Sequence, residues 1–208
     1  MIGLINYGSG NIHAIANIYK LLNIPYYLVD SPSMISKADK LILPGVGDFD
    51  ETMKLLREKG FTDSLNEYVI DKEVPILGVC VGMQILCNGS EEGNAVGFGW
   101  IPGYTKKLDE SKLDHKPYLP HMGWNTVDTI KDSNLFTDIK DDRGFYFLHT
   151  YYFECEAKED ILGVTTYGEE FASAVRHKNI FGLQFHPEKS HYNGMKIFEN
   201  YAKLDMIC

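Results

Sequence analysis

Pro75-Ile76-Leu77-Gly78-Val79-Cys80-Val81-Gly82-Met83-Gln84-Ile85-Leu86-Cys87 joins an apolar run to a longer mixed one through a cysteine flanked by glycines. A continuous run such as Pro75 to Val79 suits a strand buried on both faces, the usual state of a central strand in a parallel sheet. Met83 to Cys87, after Gly82, suits a helix. Cys80 is therefore expected on a strand-to-helix turn, where Gly78 and Gly82 permit the sharp bend of a nucleophile elbow.

Toward the N-terminus the chain alternates short and long runs: Ile2 to Asn6, Ile12 to Leu22, Tyr26 to Val29, Lys40 to Leu43 and Phe49 to Ile70. Strands alternating with helical stretches argue for βαβ units on a mainly parallel sheet. From Gly97 onward the pattern becomes β-rich, with pieces at Phe145 to Glu154, Ile161 to Tyr167, Phe171 to Arg176 and Ile180 to Phe185, before a closing helix from Asn193 to Leu204. The expectation is a three-layer α/β fold with helices flanking the sheet and a β-rich second half, built as one domain over 1–208.

Composition narrows the function classes. The 208 residues carry a formal charge of -9, which repels polyanions, and Lys and Arg form no stripe interleaved with aromatics, so nucleic acid is not expected as a partner. No apolar run has the eighteen or so residues of a membrane span, and no export signal precedes the first strand, so a cytoplasmic protein is expected. Cys80, Cys87, Cys155 and Cys208 match the spacing of neither a zinc module nor a disulfide framework. Reduced thiols, no metal and no cofactor are expected.

A lone cysteine in an apolar strand is more often core than catalyst. Phe185-His186-Pro187-Glu188, just after the apolar run Ile180 to Gln184, changes that balance by supplying a base and a carboxylate together. In an extended segment His186 and Glu188 project to one side, so Glu188 can hold one ring nitrogen while the other faces the thiol. That is the logic of nucleophile, base and orienting carboxylate. The dipole of the helix after Cys80 is expected to assist by lowering the thiol pKa. Leu43-Pro44-Gly45-Val46-Gly47 ends a strand in a glycine-rich loop whose N–H groups could meet an oxyanion, with Val81 N–H as second donor. Gly8-Ser9-Gly10, with Asp30 about twenty residues on, resembles a dinucleotide fingerprint, but His13 stands where its third glycine belongs.

The elbow, the His-Pro-Glu segment and the glycine-rich loop, with Asn6 to Asn11, Ser90-Glu91-Glu92-Gly93 and Pro120-His121-Met122-Gly123-Trp124-Asn125, together resemble the class I glutamine amidotransferases. Within them the likeness is closest to the glutaminase subunits of imidazole glycerol phosphate synthases. The resemblance implies a flavodoxin-like fold, L-glutamine as substrate and a Cys80 thioester intermediate, with His186 as base and Glu188 as its orienter. It places Gly47 and Val81 at the oxyanion hole, and Gln84, Glu92, His149, Thr150 and Tyr151 around the glutamine backbone. It also implies a separate (β/α)8-barrel synthase subunit, joined as a heterodimer that channels ammonia, with Asn11, His121, Met122, Trp124, Asn125 and Lys189 facing it. The ammonia acceptor would be an intermediate of histidine biosynthesis; a sugar in surface-glycan synthesis, or a stand-alone cysteine hydrolase, are the alternatives. Asn6, Val81 and Thr150 depart from the Asp, Leu and Ser usual in the family.

Overall fold

The computed structural model describes residues 1–204 apart from 115, 117 and 141, so Cys208 lies outside the described residues. Its strands and helices run β1 (Ile2–Ile5), α1 (Ile12–Leu21), β2 (Tyr26–Val29), β3 (Lys40–Gly45), α2 (Phe49–Glu58), α3 (Phe61–Asn66), β4 (Ile76–Cys80) and α4 (Val81–Gln84). The second half adds β5 (Gly103–Lys107), β6 (His121–Asn125), β7 (Asp128–Thr129), β8 (Phe145–His149), β9 (Tyr151–Cys155), β10 (Ile161–Tyr167), β11 (Glu169–His177), β12 (Ile180–Leu183) and α5 (His191–Lys203).

Eight strands form one sheet in the order β2-β1-β3-β4-β12-β11-β10-β7. The first five in that order are mutually parallel, and β11, β10 and β7 continue the sheet antiparallel. The expected α/β architecture with a β-rich second half is what the chain adopts. Strand β4 lies between β3 and β12, and all five of its residues are buried. Covering Ile76, Leu77 and Val79 on both faces contributes about 1.5–3 kcal/mol for each side chain.

Three expected elements differ. The run Phe49 to Ile70 is not one helix: Gly60 takes φ +72 after α2, and the chain restarts as α3 and then a π turn over Glu67–Asp71. The helix after Cys80 stops at Gln84, because the carbonyls that a longer helix would use accept instead from the returning chain. Phe98 N–H donates to Ile85, Trp100 N–H to Leu86 and Gly99 N–H to Cys87. Phe145 to Glu154 splits at Thr150 into β8, which pairs with β6, and β9, which pairs with β5. Thr150, between the two strands, lines the pocket over Cys80.

Candidate active site

Close backbone approach fixes the turn at Cys80. A Cβ on Gly78 would stand 2.4 Å from the Gly82 carbonyl oxygen, and one on Gly82 would stand 2.0 Å from the Leu43 carbonyl oxygen. The elbow therefore packs on itself and on β3 with no room for side chains at either glycine. Cys80 pays for this with φ 53 and ψ −113, a conformation costing on the order of 1–3 kcal/mol for a non-glycine residue. Strain of that kind is tolerated where it aims a side chain.

His186 leaves β12 in extended geometry, and Pro187–Lys189 forms a 3₁₀ turn that brings Glu188 back against the ring. His186 Nδ1 lies 2.8 Å from Glu188 Oε1, with both side chains buried. Helix α5 clamps this turn, since a Cβ on Gly194 would sit 1.7 Å from the Pro187 carbonyl oxygen. Ser190 Oγ donates to the His186 carbonyl at 2.7 Å and accepts from Tyr146 N–H at 2.9 Å, tying the turn to β8. Glu188 Oε2 is buried with no hydrogen-bond partner among the described residues, which concentrates the carboxylate's interaction on the imidazole. Burial disfavours the charged ring, but hydrogen bonds from it to Cys80 and Glu188 outweigh burial and hold its pKa at about 10. The triad expected at Cys80, His186 and Glu188 is brought together.

A pocket of about 270 Å³ opens over Cys80 and His186, and Gly47, Val81, Gln84, Glu92, His149, Thr150 and Tyr151 all line it. Gly47 has φ +122, with nothing near the place a Cβ would occupy. Glu92 is held by Phe49 N–H, which donates to its Oε2 at 2.9 Å, while burial raises its carboxyl pKa. Its loop is anchored by Asp50, whose carboxylate accepts from Asn94 and Ala95 N–H and fills the space a Cβ on Gly93 would need. The helix after Cys80 is shorter than expected: α4 has four residues, so few peptide dipoles align behind the sulfur. The close polar neighbours of the sulfur are instead His186, the Leu148 carbonyl at 3.9 Å and Gln184 Nε2 at 3.8 Å.

The residues expected to face a partner divide. Met122 and Trp124 are 61% and 48% exposed, Trp124 stacks on His191 with ring centroids 5.3 Å apart, and exposed Lys189 holds its ammonium 5.5 Å from the Tyr146 ring. Asn11 is partly exposed at the start of α1. Asn125 is half-buried, its amide donating to the Thr166 carbonyl at 2.9 Å. His121 is a correction: it is 3% exposed, stacked between Phe147 and Tyr167, because period-two alternation along β6 turns it inward. The loop at Gly8-Ser9-Gly10 is also explained without a nucleotide. Gly10 lets the loop lie on Pro44, and Tyr7 and Ser9 hydroxyls donate to the Pro44 and Val46 carbonyls. Gln184 and Ser190 were not singled out as site residues; both stand in the segment around His186, and their polarity beside an apolar strand was the available signal.

A buried cysteine–histidine–carboxylate set at the end of a parallel strand, under a small pocket, defines a cysteine-nucleophile hydrolase site on an α/β scaffold. The sequence profile of the class-I glutamine amidotransferases matches residues 3–203, and the chain belongs to that family. It is 46% identical to "Imidazole glycerol phosphate synthase subunit HisH" of Leptospira borgpetersenii, over 98% of this chain and 100% of that protein. It is 47% identical to "Imidazole glycerol phosphate synthase subunit HisH 2" of Methanococcus maripaludis, over 98% of this chain and 99% of that one. Among solved structures, a glutamine amidotransferase superposes with TM-score 0.70 at 17% identity, covering 98% of this chain and 99% of that one. Among the described residues no helix is long and apolar enough to cross a membrane.

Proposed function

We propose that this chain is the glutaminase subunit of an imidazole glycerol phosphate synthase. It hydrolyses L-glutamine and passes the ammonia to a separate (β/α)8-barrel synthase subunit in histidine biosynthesis. The observation that carries the reading is the Cys80–His186–Glu188 set under its pocket, in a chain that matches relatives of that name over its full length.

Cys80 attacks the side-chain carbonyl carbon of glutamine as the thiolate, its proton having passed to His186, and the developing oxyanion is met by N–H groups at Gly47 and Val81. With a pKa near 10, His186 is protonated at neutral pH and gives its proton to the leaving nitrogen as the C–N bond breaks. Water then attacks the thioester, His186 accepts its proton, and glutamate leaves as the C–S bond breaks. Glu92 and the Tyr151 and Thr150 backbone suit the α-ammonium and α-carboxylate of the substrate. Free ammonia is mostly protonated in neutral water and then lacks a lone pair, so direct transfer to the partner preserves its reactivity.

The test is glutamate release from glutamine by the purified chain, alone and with the barrel subunit of the same organism, alongside glutamine-driven ring formation. Hydrolysis that rises when the barrel subunit is added supports the reading. No hydrolysis in either condition overturns it.

A further inference from the structure

Strand β6 carries two kinds of residue. Met122 and Trp124 point outward and His121 points inward, where it is paired in register with His149 on β8. The hydrogen bonds running inward from His121 have one consistent direction, which follows from a single fixed acceptor. The Tyr151 carbonyl oxygen can only accept, so His149 Nδ1, 2.8 Å away, carries the proton and His149 Nε2 is an acceptor. His121 Nδ1, 3.0 Å from that nitrogen, therefore donates, and His121 Nε2 accepts from the Asn125 amide at 3.3 Å. Both rings are neutral in this arrangement, and burial lowers their pKa values to about 4 for His121 and about 3 for His149.

The same Tyr151 oxygen takes a second hydrogen bond, from Gln84 Nε2 at 2.8 Å. The other hydrogen of that amide goes to Gln184 Oε1 at 3.1 Å, and Gln184 Nε2 is aimed at the Cys80 sulfur from 3.8 Å. Asn125, His121, His149, Tyr151, Gln84 and Gln184 thus form one unbroken chain from a strand with a solvent-facing side to the attacking atom. An N–H aimed at sulfur stabilises negative charge there, and the amide of Gln184 is oriented only as long as Gln84 occupies its oxygen. Gln84 in turn is oriented by the carbonyl that His149 holds.

We propose that His121 is a positioning residue through which strand β6 sets the hydrogen bonds around the Cys80 sulfur. The coupling of His121 to the sulfur does not rest on the glutaminase reading.

The test uses the whole chain and needs neither glutamine nor a partner. The rate of iodoacetamide alkylation at Cys80 is followed by mass spectrometry in three variants whose fold is checked by circular dichroism. His121→Phe keeps a ring between Phe147 and Tyr167 but removes the donor to His149, His121→Asn restores a donor at the Nδ1 position, and His121→Gln places its amide at the Nε2 position instead. Alkylation is expected to slow by about tenfold in His121→Phe and His121→Gln, the size of one lost buried hydrogen bond, and to stay within about twofold of wild type in His121→Asn. Should His121→Phe fail to fold, the two amides, alike in chemistry, decide the matter. Equal rates in folded His121→Asn and His121→Gln overturn the proposal, as does a folded His121→Phe that reacts like wild type. Loss of glutamine hydrolysis in wild type with its alkylation differences intact would overturn the glutaminase reading alone.

Discussion

His186 and the His121–His149 pair are buried histidines near one pocket, which His186 and His149 line, yet their protons behave in opposite ways. His186 sits on the turn after the parallel part of the sheet, against Glu188 and Cys80, and its pKa is raised to about 10. His149 sits on the antiparallel ladder of β6 and β8 with a carbonyl and another imidazole as partners, and its pKa falls to about 3. Burial alone drives an imidazole neutral, and an acidic partner in hydrogen-bond contact reverses the sign. One region of the site is thereby built to carry a mobile proton and the other to hold a fixed pattern of donors and acceptors.

The most severe way to break this division is to remove the acidic side of the first region. Cys80→Ala should abolish glutamine hydrolysis, a loss of at least about 10⁴-fold, while fold and partner binding persist, because the change deletes the nucleophile and little volume. Glutamate release assayed in a preparation free of wild-type enzyme checks it. His186→Ala should cost about 10³–10⁴-fold, because the proton carrier is lost. Glu188→Gln should cost less, about 10²-fold, because an amide can still orient the ring but no longer supports its charge. A larger loss in Glu188→Gln than in His186→Ala would mean the roles are assigned the wrong way round.

The two regions should also respond to pH with opposite slopes. The unfolded reference for both is a histidine near pKa 6.5. The folded pKa of His186 is raised, so its contribution to stability is complete below about pH 6.5 and is lost as pH climbs toward 10. Those of His121 and His149 are lowered, so their contribution is present above about pH 6.5 and is lost as pH falls toward 4 and 3. In urea titrations, the stability gap between wild type and His186→Ala should narrow from pH 6 to pH 9.5, by on the order of 1–3 kcal/mol. The gap between wild type and His149→Phe should narrow from pH 7 to pH 4.5. Slopes of the same sign would dissolve the contrast.

The two regions were unequally legible in sequence. The parallel part is governed by local rules: apolar runs, glycines at the elbow, a proline turn after His186. Its strands and triad were therefore readable from Pro75 to Gly82 and Phe185 to Glu188. The antiparallel part depends on pairings far apart in the chain. Nothing near Thr150 marks where Phe145 to Glu154 would divide between two sheets, and nothing near His121 says which face of β6 meets β8. The short α4 shows the same limit, since Phe98, Gly99 and Trp100 take the carbonyls of Ile85, Cys87 and Leu86 that follow it, a competition invisible from Met83 to Cys87 alone.

A smaller effect is expected on the outer surface shared by both regions. Trp124 on β6 stacks on His191, and Lys189 follows the triad carboxylate, so a docked synthase subunit would touch both sides of the comparison at once. Trp124→Ala and Lys189→Ala should leave the isolated subunit folded and weaken association by about 1–2 kcal/mol each. Glutamine-driven synthesis should fall more than synthesis from added ammonium salt, and the ratio of the two rates in each complex is the measurement. An unchanged ratio with unchanged affinity would remove this face from the docking surface.

The smallest effect should come from the other thiols, which test whether an acidic partner, and not mere burial, is what makes a site group reactive. Cys87 is fully buried, its Sγ 3.1 Å from the Gly89 carbonyl and 3.5 Å from Thr105 Oγ1, and burial raises its pKa. Cys155 is half-buried on β9, with its Sγ 3.3 Å from the Ala157 carbonyl, and burial first, then nearby acids, push its pKa to about 11. Among the described residues neither has an imidazole against its sulfur, and with both pKa values raised neither supplies thiolate at neutral pH. Cys155→Ser should leave glutamine hydrolysis within about twofold of wild type. Cys87→Ser should do the same at the cost of about 1 kcal/mol of stability, since it replaces a sulfur packed in the core by a smaller, more polar atom. Kinetics at pH 7.5 with a parallel urea midpoint for each variant separate the two effects. Catalysis lost at unchanged stability in either variant would show that a thiol outside the elbow takes part in the chemistry.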